Sequence, residues 1–377
     1  MRTIEPYHWS PADVARIDAG SAAAPLIGSN AVAPPVAGLD LWDHWPVLEE
    51  DGAIARIAGG TMVIALSAPM AGDPEERHAL ARLRLFHTRD DGWRDLGNLL
   101  PDGFSPGSRE WAGSATVDPR HDRLTLHFTA AGFRGEAEPS FAQRIFMTSA
   151  ALVASGPAPT LSGWTAPAET VTPDGAIYET DMAGGGAAGT IKAFRDPFIW
   201  RDPADGVDYL LFTASRAEAA SRWNGLVGLA RREGADWSLQ RPLVDATGLN
   251  NELERPHIIV VADRRYLFWS TQAKVFAEGG PAGPTGLYGL VADDIAGPWC
   301  PLNGSGLVFA NPPAAPFQAY SWQVLKDGSV WSFADLVGLS HPPVDTAEAR
   351  AHFGGAPAPI LQLRFDGERV MLIQPRS

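Results

Sequence analysis

The sequence predicts an all-β protein, a five-bladed β-propeller with its active-site pocket on the axis. Three observations predict it. First, five β-branched and aromatic runs recur, at residues 61–66, 124–129, 209–213, 266–270 and 330–333. Their starts fall roughly 60 residues apart, with one longer gap holding the glycine-rich stretch 183–189, a period that suits units of four short strands. Second, three runs are followed by a strand, a turn and a Trp-led strand. These are residues 83–86 to Asp91-Gly92-Trp93, 228–230 to Asp236-Trp237, and 288–291 to Gly297-Pro298-Trp299, each read as a hairpin. Third, 32 prolines and 39 glycines punctuate the chain, and only residues 11–18 and 346–352 carry a helical pattern. A pair of packed β-sandwiches is the competing all-β arrangement.

The chain has 377 residues, of which 45% are hydrophobic, enough for a large core. It reads as one propeller domain over 1–377, with a segment of about 1–38 packed on the outside. No run of about 18 apolar residues is present, so no transmembrane helix is expected. Residues 1–18 are polar and lack the basic-then-apolar pattern of a secretory leader. Net charge is −14, which offers no basic face for phosphate; neither nucleic acid nor an anionic membrane is an expected partner. A neutral ligand such as a sugar is compatible with that charge. The single cysteine, Cys300, excludes an internal disulfide framework and a cysteine-rich zinc site, and it is expected to pack beside Trp299. Nine histidines form no H-x-x-x-H pair, so no metal site is expected. Thirteen tryptophans are many; Trp42, Trp45 and Trp111 lie among polar motif residues and are weighted toward a sugar site.

Each blade presents one motif ahead of its aromatic run. Asp43 precedes its run by about 19 residues; Trp111, Asp196, Glu254 and Tyr320 precede theirs by roughly 10 to 13. The motifs therefore fall on the innermost strands, which line the channel of a propeller. Repeat phase brings Asp43, Asp196 and Glu254 to one funnel.

Carboxylates in rigid, semi-apolar surroundings suit glycosidic-bond chemistry, which needs a nucleophile and an acid of raised pKa. Glu252 stands two residues from Glu254, on the same face of a regular strand, and its like charge would raise that acid. Arg255 would then lie on the opposite face. Asp196, beside Arg195 and before Pro197, is stiffened and suited to gripping hydroxyls.

The ordered motifs WDHWP at 42–46, EWAGSA at 110–115, FRDP at 194–197, ELERPH at 252–257 and QAYS at 318–321 resemble the levansucrase–inulosucrase family, glycoside hydrolase family 68. The resemblance spans about 40 to 340 and is strongest to the shorter Gram-negative bacterial members. It implies a five-bladed propeller and retaining fructosyl transfer from sucrose to water, sucrose or another sugar acceptor, with no cofactor. Asp43 is then the nucleophile, Asp196 the transition-state stabiliser and Glu254 the general acid/base. Trp42, Trp111 and Arg195 would line the fructosyl pocket, with Glu252, Arg255 and Tyr320 supporting the acid/base and the glucosyl side. The family also implies an extracellular location; without a visible leader, the cytoplasm is the alternative. Oligomeric state is not specified.

Four positions depart from the family pattern. His44 stands where Ser or Thr is common, and Ala112 replaces a Ser that contacts the nucleophile. Gln272 stands where Arg or His is common, a position tied to acceptor choice, and Asn251 where calcium-binding members have Asp. Short products and no calcium requirement are expected.

Two bland readings stand against these. A non-catalytic sugar-binding propeller would not require all three carboxylates, and a fructan or arabinan hydrolase on the same fold would need a different pocket. Gly184 to Gly189 matches G-x-G-x-x-G formally, but no strand leads in and no helix follows, so a loop is expected. His257 is expected to be structural.

Overall fold

Five antiparallel sheets follow one another along the chain. A computed structural model describes residues 3–18, 23–182 and 184–373. From inside outward, blade one holds Leu39–Pro46, Gly60–Pro69, Arg82–Arg89 and Gly92–Asn98. Blade two holds Arg109–Val117, Arg123–Ala131, Gln143–Val153 and Thr160–Ser162. Blade three holds Phe194–Arg201, Asp208–Ser215, Gly225–Glu233 and Asp236–Leu239. Blade four holds Glu254–Val261, Arg264–Thr271, Gly286–Ala292 and the short Cys300–Pro301; blade five holds Ala319–Val324, Ser329–Leu336, Leu361–Asp366 and Arg369–Leu372. This is the predicted five-bladed propeller.

The apolar runs form the second strand of each blade because they are buried on both faces: residues 61–66 and 266–271 are buried throughout. The ring closes between blades five and one, where Arg350 clamps the buried Asp40 at 2.7 and 3.0 Å. The N-terminal segment lies across blades three to five. Tyr7–His8 adds a parallel strand beside Val244–Asp245, and Trp9 packs on Trp269, Phe276 and Tyr288. Ala23 bridges Ala310, and Gln318 ties down Pro25 and Ile27. Residues 1, 2 and 19–22 of that segment, and Ala183 of the glycine-rich stretch, lie outside the described residues.

Every innermost strand carries a β-bulge at the same level. The register shifts after Trp42, Trp111, Arg195, Glu254 and Tyr320. In four blades the next residue has left-handed backbone: Asp43 at φ 40°, Asp196 at 57°, Arg255 at 48° and Ser321 at 62°. Proline fits at Pro197 and Pro256 because the extra residue of a bulge leaves the hydrogen-bond ladder. In blade two the shift ends at Gly113, where a Cβ would meet the His127 carbonyl at 2.0 Å.

Two expectations need correction. The strand around Glu254 is not regular: it begins at Glu254, leaving Glu252 in the preceding loop, and the bulge redirects Arg255. The Trp-led strand after Gly297-Pro298 shrinks to Cys300–Pro301, with Trp299 buried ahead of it. No helix among the described residues is long and apolar enough to cross a membrane.

Candidate active site

The bulges gather the chemistry. A bulge turns two successive side chains away from strict alternation, so one strand can aim both into the channel. Hydroxyls on the second strands cap the freed bulge amides of the next blade. Thr129 Oγ1 accepts the Asp196 N–H at 2.9 Å, and Thr213 Oγ1 accepts the Arg255 N–H at 3.1 Å. Ser270 Oγ accepts the Trp322 N–H at 2.9 Å. The same Thr213 hydroxyl donates to Asp196 Oδ2 at 2.9 Å, fixing that carboxylate.

Glu254 sits at a junction of charges. Its Oε1 accepts from Arg195 Nη2 at 3.1 Å and its Oε2 accepts from the Tyr320 hydroxyl. Arg195 also pairs with Glu252 and lies 3.6 Å from Asp196. Burial first, then the charge of Glu252, pushes Glu254 up to about 7; Arg195 and Tyr320 pull the other way and Asp43 adds to the rise. Asp196 is pushed up to about 6, by burial first, with Arg195 opposing and Glu254 and Asp43 adding. Burial works against the Arg195 charge, but Glu252, Asp196 and Glu254 hold its pKa above the ordinary value.

Asp43 lies within electrostatic reach of Asp196, Glu254, Arg255 and Tyr320. The three predicted carboxyls thus face one site. The Asp43 carboxylate accepts no hydrogen bond among the described residues, so its oxygens are free for a ligand.

Trp42 is buried beside Asp43 and Trp111 is half-buried. Both are held by a short helix missed in the sequence, Arg77–Leu80 in the loop between strands two and three of blade one. The buried Arg77 guanidinium lies over the Trp42 ring at 5.5 Å and over Phe353 at 4.6 Å. The His78 ring meets Trp42 edge-on, and the Trp111 indole N–H donates to the His78 carbonyl at 3.4 Å. Burial first and then Arg77 push His78 below the ordinary imidazole value, with Glu75 opposing. The nearest sequence signal was the cation-rich Arg77-His78 step in an otherwise acidic loop.

Arg255 bonds to the protein itself. Its guanidinium donates to Ser321 O and Oγ at 3.1 and 2.8 Å, to His44 O at 3.3 Å and to Gln323 Oε1 at 3.3 Å. It also covers the buried Trp45 ring at 5.7 Å, which makes Trp45 a core residue. Arg255 thereby ties the inner strands of blades four, five and one beneath the carboxyls. His257 is structural: its Nε2 accepts the Val324 N–H at 2.8 Å, so Nδ1 carries the proton to the Arg255 carbonyl at 2.9 Å.

Gln272 follows the second strand of blade four and is half-buried, next to Thr271, whose hydroxyl donates to the Glu252 carbonyl at 2.8 Å. Ala112 is buried, its carbonyl accepting from Thr129 at 3.0 Å. Asn251 is wholly buried. Its Oδ1 accepts the Gly189 N–H at 2.8 Å, and its Nδ2 donates to the carbonyls of Ile191 and Arg222, each at 3.1 Å. The glycine-rich stretch is thus a loop pinned by an amide, with Gly189 at φ 79° making the approach.

The comparisons agree with this geometry. A model of the Levansucrase/Invertase family, glycoside hydrolase family 68, matches residues 2–225 and 215–374. A levansucrase of Pseudomonas syringae pv. actinidiae is 30% identical, over 97% of this chain and 90% of its own. A levansucrase of Zymomonas mobilis is 29% identical, over 99% and 92%. The solved inulosucrase of Halalkalicoccus jeotgali, bound to kestose, superposes with a TM-score of 0.89 at 35% identity, covering 98% of this chain and 95% of that one. The β-fructofuranosidase catalytic domain of Microbacterium saccharophilum K-1 shares the fold, with a TM-score of 0.84 at 24% identity. The chain belongs to the levansucrase/invertase family.

Proposed function

We propose that this protein cleaves sucrose and passes the fructosyl group to water or to a sugar hydroxyl, with retention. Asp43 attacks the anomeric carbon of the fructosyl unit. The bond to the glucosyl oxygen breaks as Glu254 gives that oxygen its proton. A covalent fructosyl–enzyme remains and glucose leaves. Glu254, now a carboxylate, takes a proton from water or an acceptor hydroxyl, which attacks the same carbon and releases Asp43. Asp196, fixed by Thr213, holds fructosyl hydroxyls while positive charge develops at the anomeric centre.

One observation carries this reading. Glu254 is the site carboxyl raised to about 7, and it is bonded to Tyr320 and Arg195 within reach of the Asp43 charge. A carboxylic acid still protonated near neutrality opposite a carboxylate is the pairing that a retaining glycoside hydrolase needs. Among the described residues no group donates a hydrogen bond to Asp43, which leaves its oxygens open to substrate.

The test is configurational. The fructosyl anomeric carbon carries no proton, so carbon-13 NMR of the first-formed transfer product, read at that carbon, should show the fructosyl linkage in the configuration it had in sucrose. An inverted product would exclude double displacement.

A further inference from the structure

The repeat places a further, unassigned carboxylate within electrostatic reach of Asp43. In each blade the second strand pairs with the bulge residue of the first: Leu66 with Trp42, Thr129 with Trp111, Thr213 with Arg195, Ser270 with Glu254, Phe333 with Tyr320. Two residues further along the chain stand Ala68, Ala131, Ser215, Gln272 and Asp335, Gln272 just past its strand and Asp335 where the register to the next strand shifts. Blades one to three thus carry small side chains at this level. The neighbouring blades four and five carry the only two long or charged ones.

Among the described residues, the Gln272 amide makes no hydrogen bond, and the Asp335 carboxylate makes neither a hydrogen bond nor an ion pair. The Asp335 backbone N–H donates to Gln318 O at 2.9 Å, so the strand is fixed at this point. Its half-buried carboxylate lies within electrostatic reach of Asp43, Arg77, Glu75 and Lys274. Arg77 makes no hydrogen bond to Asp335 among the described residues: its Nη1 donates to the Pro74 carbonyl at 2.7 Å and to Glu75 at 3.0 Å, and its face lies on Trp42 and Phe353. A half-buried carboxylate with no donor is costly unless something else donates to it.

We propose that Asp335 is a sugar-binding residue of the leaving-group and acceptor side, accepting hydrogen bonds from hydroxyls of the glucosyl unit or of the acceptor sugar that replaces it, with Gln272 at the same level of the neighbouring blade. The proposal rests on the fructosyl-transfer reading. The argument for the side is positional. Arg195, Trp42 and Trp111 belong to blades one to three, whose positions at this level are small and leave room above the fructosyl pocket. Gln272 and Asp335 belong to blades four and five, the two blades whose innermost strands carry Glu254 and Tyr320, where the glycosidic oxygen is protonated. A charged acceptor with several hydroxyls to choose from recognises a sugar without contributing to bond cleavage.

The experiment has two arms. In otherwise wild-type protein, Asp335→Ala should raise KM for sucrose about tenfold while kcat changes by less than about threefold, the split of a group that binds ground and transition states alike. Asp335→Asn, which keeps an acceptor oxygen, should recover part of the loss. In an Asp43→Asn background, calorimetry with sucrose isolates binding, and adding Asp335→Ala should weaken Kd by a similar factor. If Asp43→Asn binds sucrose and the added substitution leaves Kd unchanged, the Asp335 assignment is wrong. Should Asp43→Asn and wild type both fail to bind sucrose, the fructosyl-transfer reading falls and Asp335 with it. Melting temperatures of the folded variants, within a few degrees of wild type, separate lost contacts from lost structure.

Discussion

Asp43 and Asp196 occupy the same position of the repeat: each is the left-handed residue of the bulge in its blade's innermost strand, at φ 40° and 57°. Asp tolerates this region better than bulky residues do, yet the conformation is costly by roughly 1 kcal/mol. The cost is repeated around the ring at Arg255 and Ser321. What it achieves is aim: a regular strand could not direct both Arg195 and Asp196, or both Trp42 and Asp43, toward one axis.

From this strain follows a stability prediction. Asn is at least as tolerant of left-handed backbone as Asp, and Asp43→Asn removes a charge that raises both Glu254 and Asp196. The melting temperature of Asp43→Asn should equal or exceed that of wild type, by up to about 2 °C. A drop of several degrees would mean that Asp43 holds the fold together rather than waiting for substrate.

The pH profile should have an alkaline limb set by Glu254. Its protonated form does the work, so kcat/KM should fall as pH rises through about 7. Glu252 raises this group, so Glu252→Gln should move the limb to lower pH. Tyr320 lowers it, so Tyr320→Phe should move the limb to higher pH. Two variants whose limbs both stay put would remove Glu254 from the profile.

Acid catalysis should also be separable from nucleophilic attack. Glu254→Gln should cut turnover of sucrose by on the order of 10²–10⁴. It should cut far less with an aryl fructofuranoside, whose leaving group departs without a proton. Equal losses on both substrates would show that Glu254 acts through structure alone.

Asn251 should make calcium dispensable. Its amide already satisfies the Gly189 amide and the carbonyls of Ile191 and Arg222 without adding charge. A chelator should leave the melting temperature unchanged, whereas Asn251→Asp should destabilise, because a carboxylate cannot donate to two carbonyls. Reversal of that loss by calcium alone would show that the loop still has a cation geometry.

Much of this was legible in the sequence, and the reasons are local. The apolar second strands announce themselves because they are buried on both faces. The phase of the motifs against them places Asp43, Asp196 and Glu254 together without any structural knowledge. The bulges were less visible, although Asp196-Pro197 and Arg255-Pro256 inside strands marked two of them. Assuming a regular strand put Arg255 on the wrong face and Glu252 on the right one for the wrong reason: Glu252 reaches Glu254 through Arg195, from a loop. Arg77, His78 and Asp335 carry no motif. Their relation to the site comes from strand register and ring contacts, which one sequence does not encode in spacing.

The most direct test is a time course with sucrose, chromatographing glucose, fructose and oligosaccharides from wild type and from Asp43→Asn. The account predicts glucose in excess of free fructose from wild type, the difference appearing as short fructosylated products, and neither sugar above background from Asp43→Asn. Wild-type protein that released no glucose, or an Asp43→Asn variant that cleaved sucrose at near-wild-type rate, would contradict it.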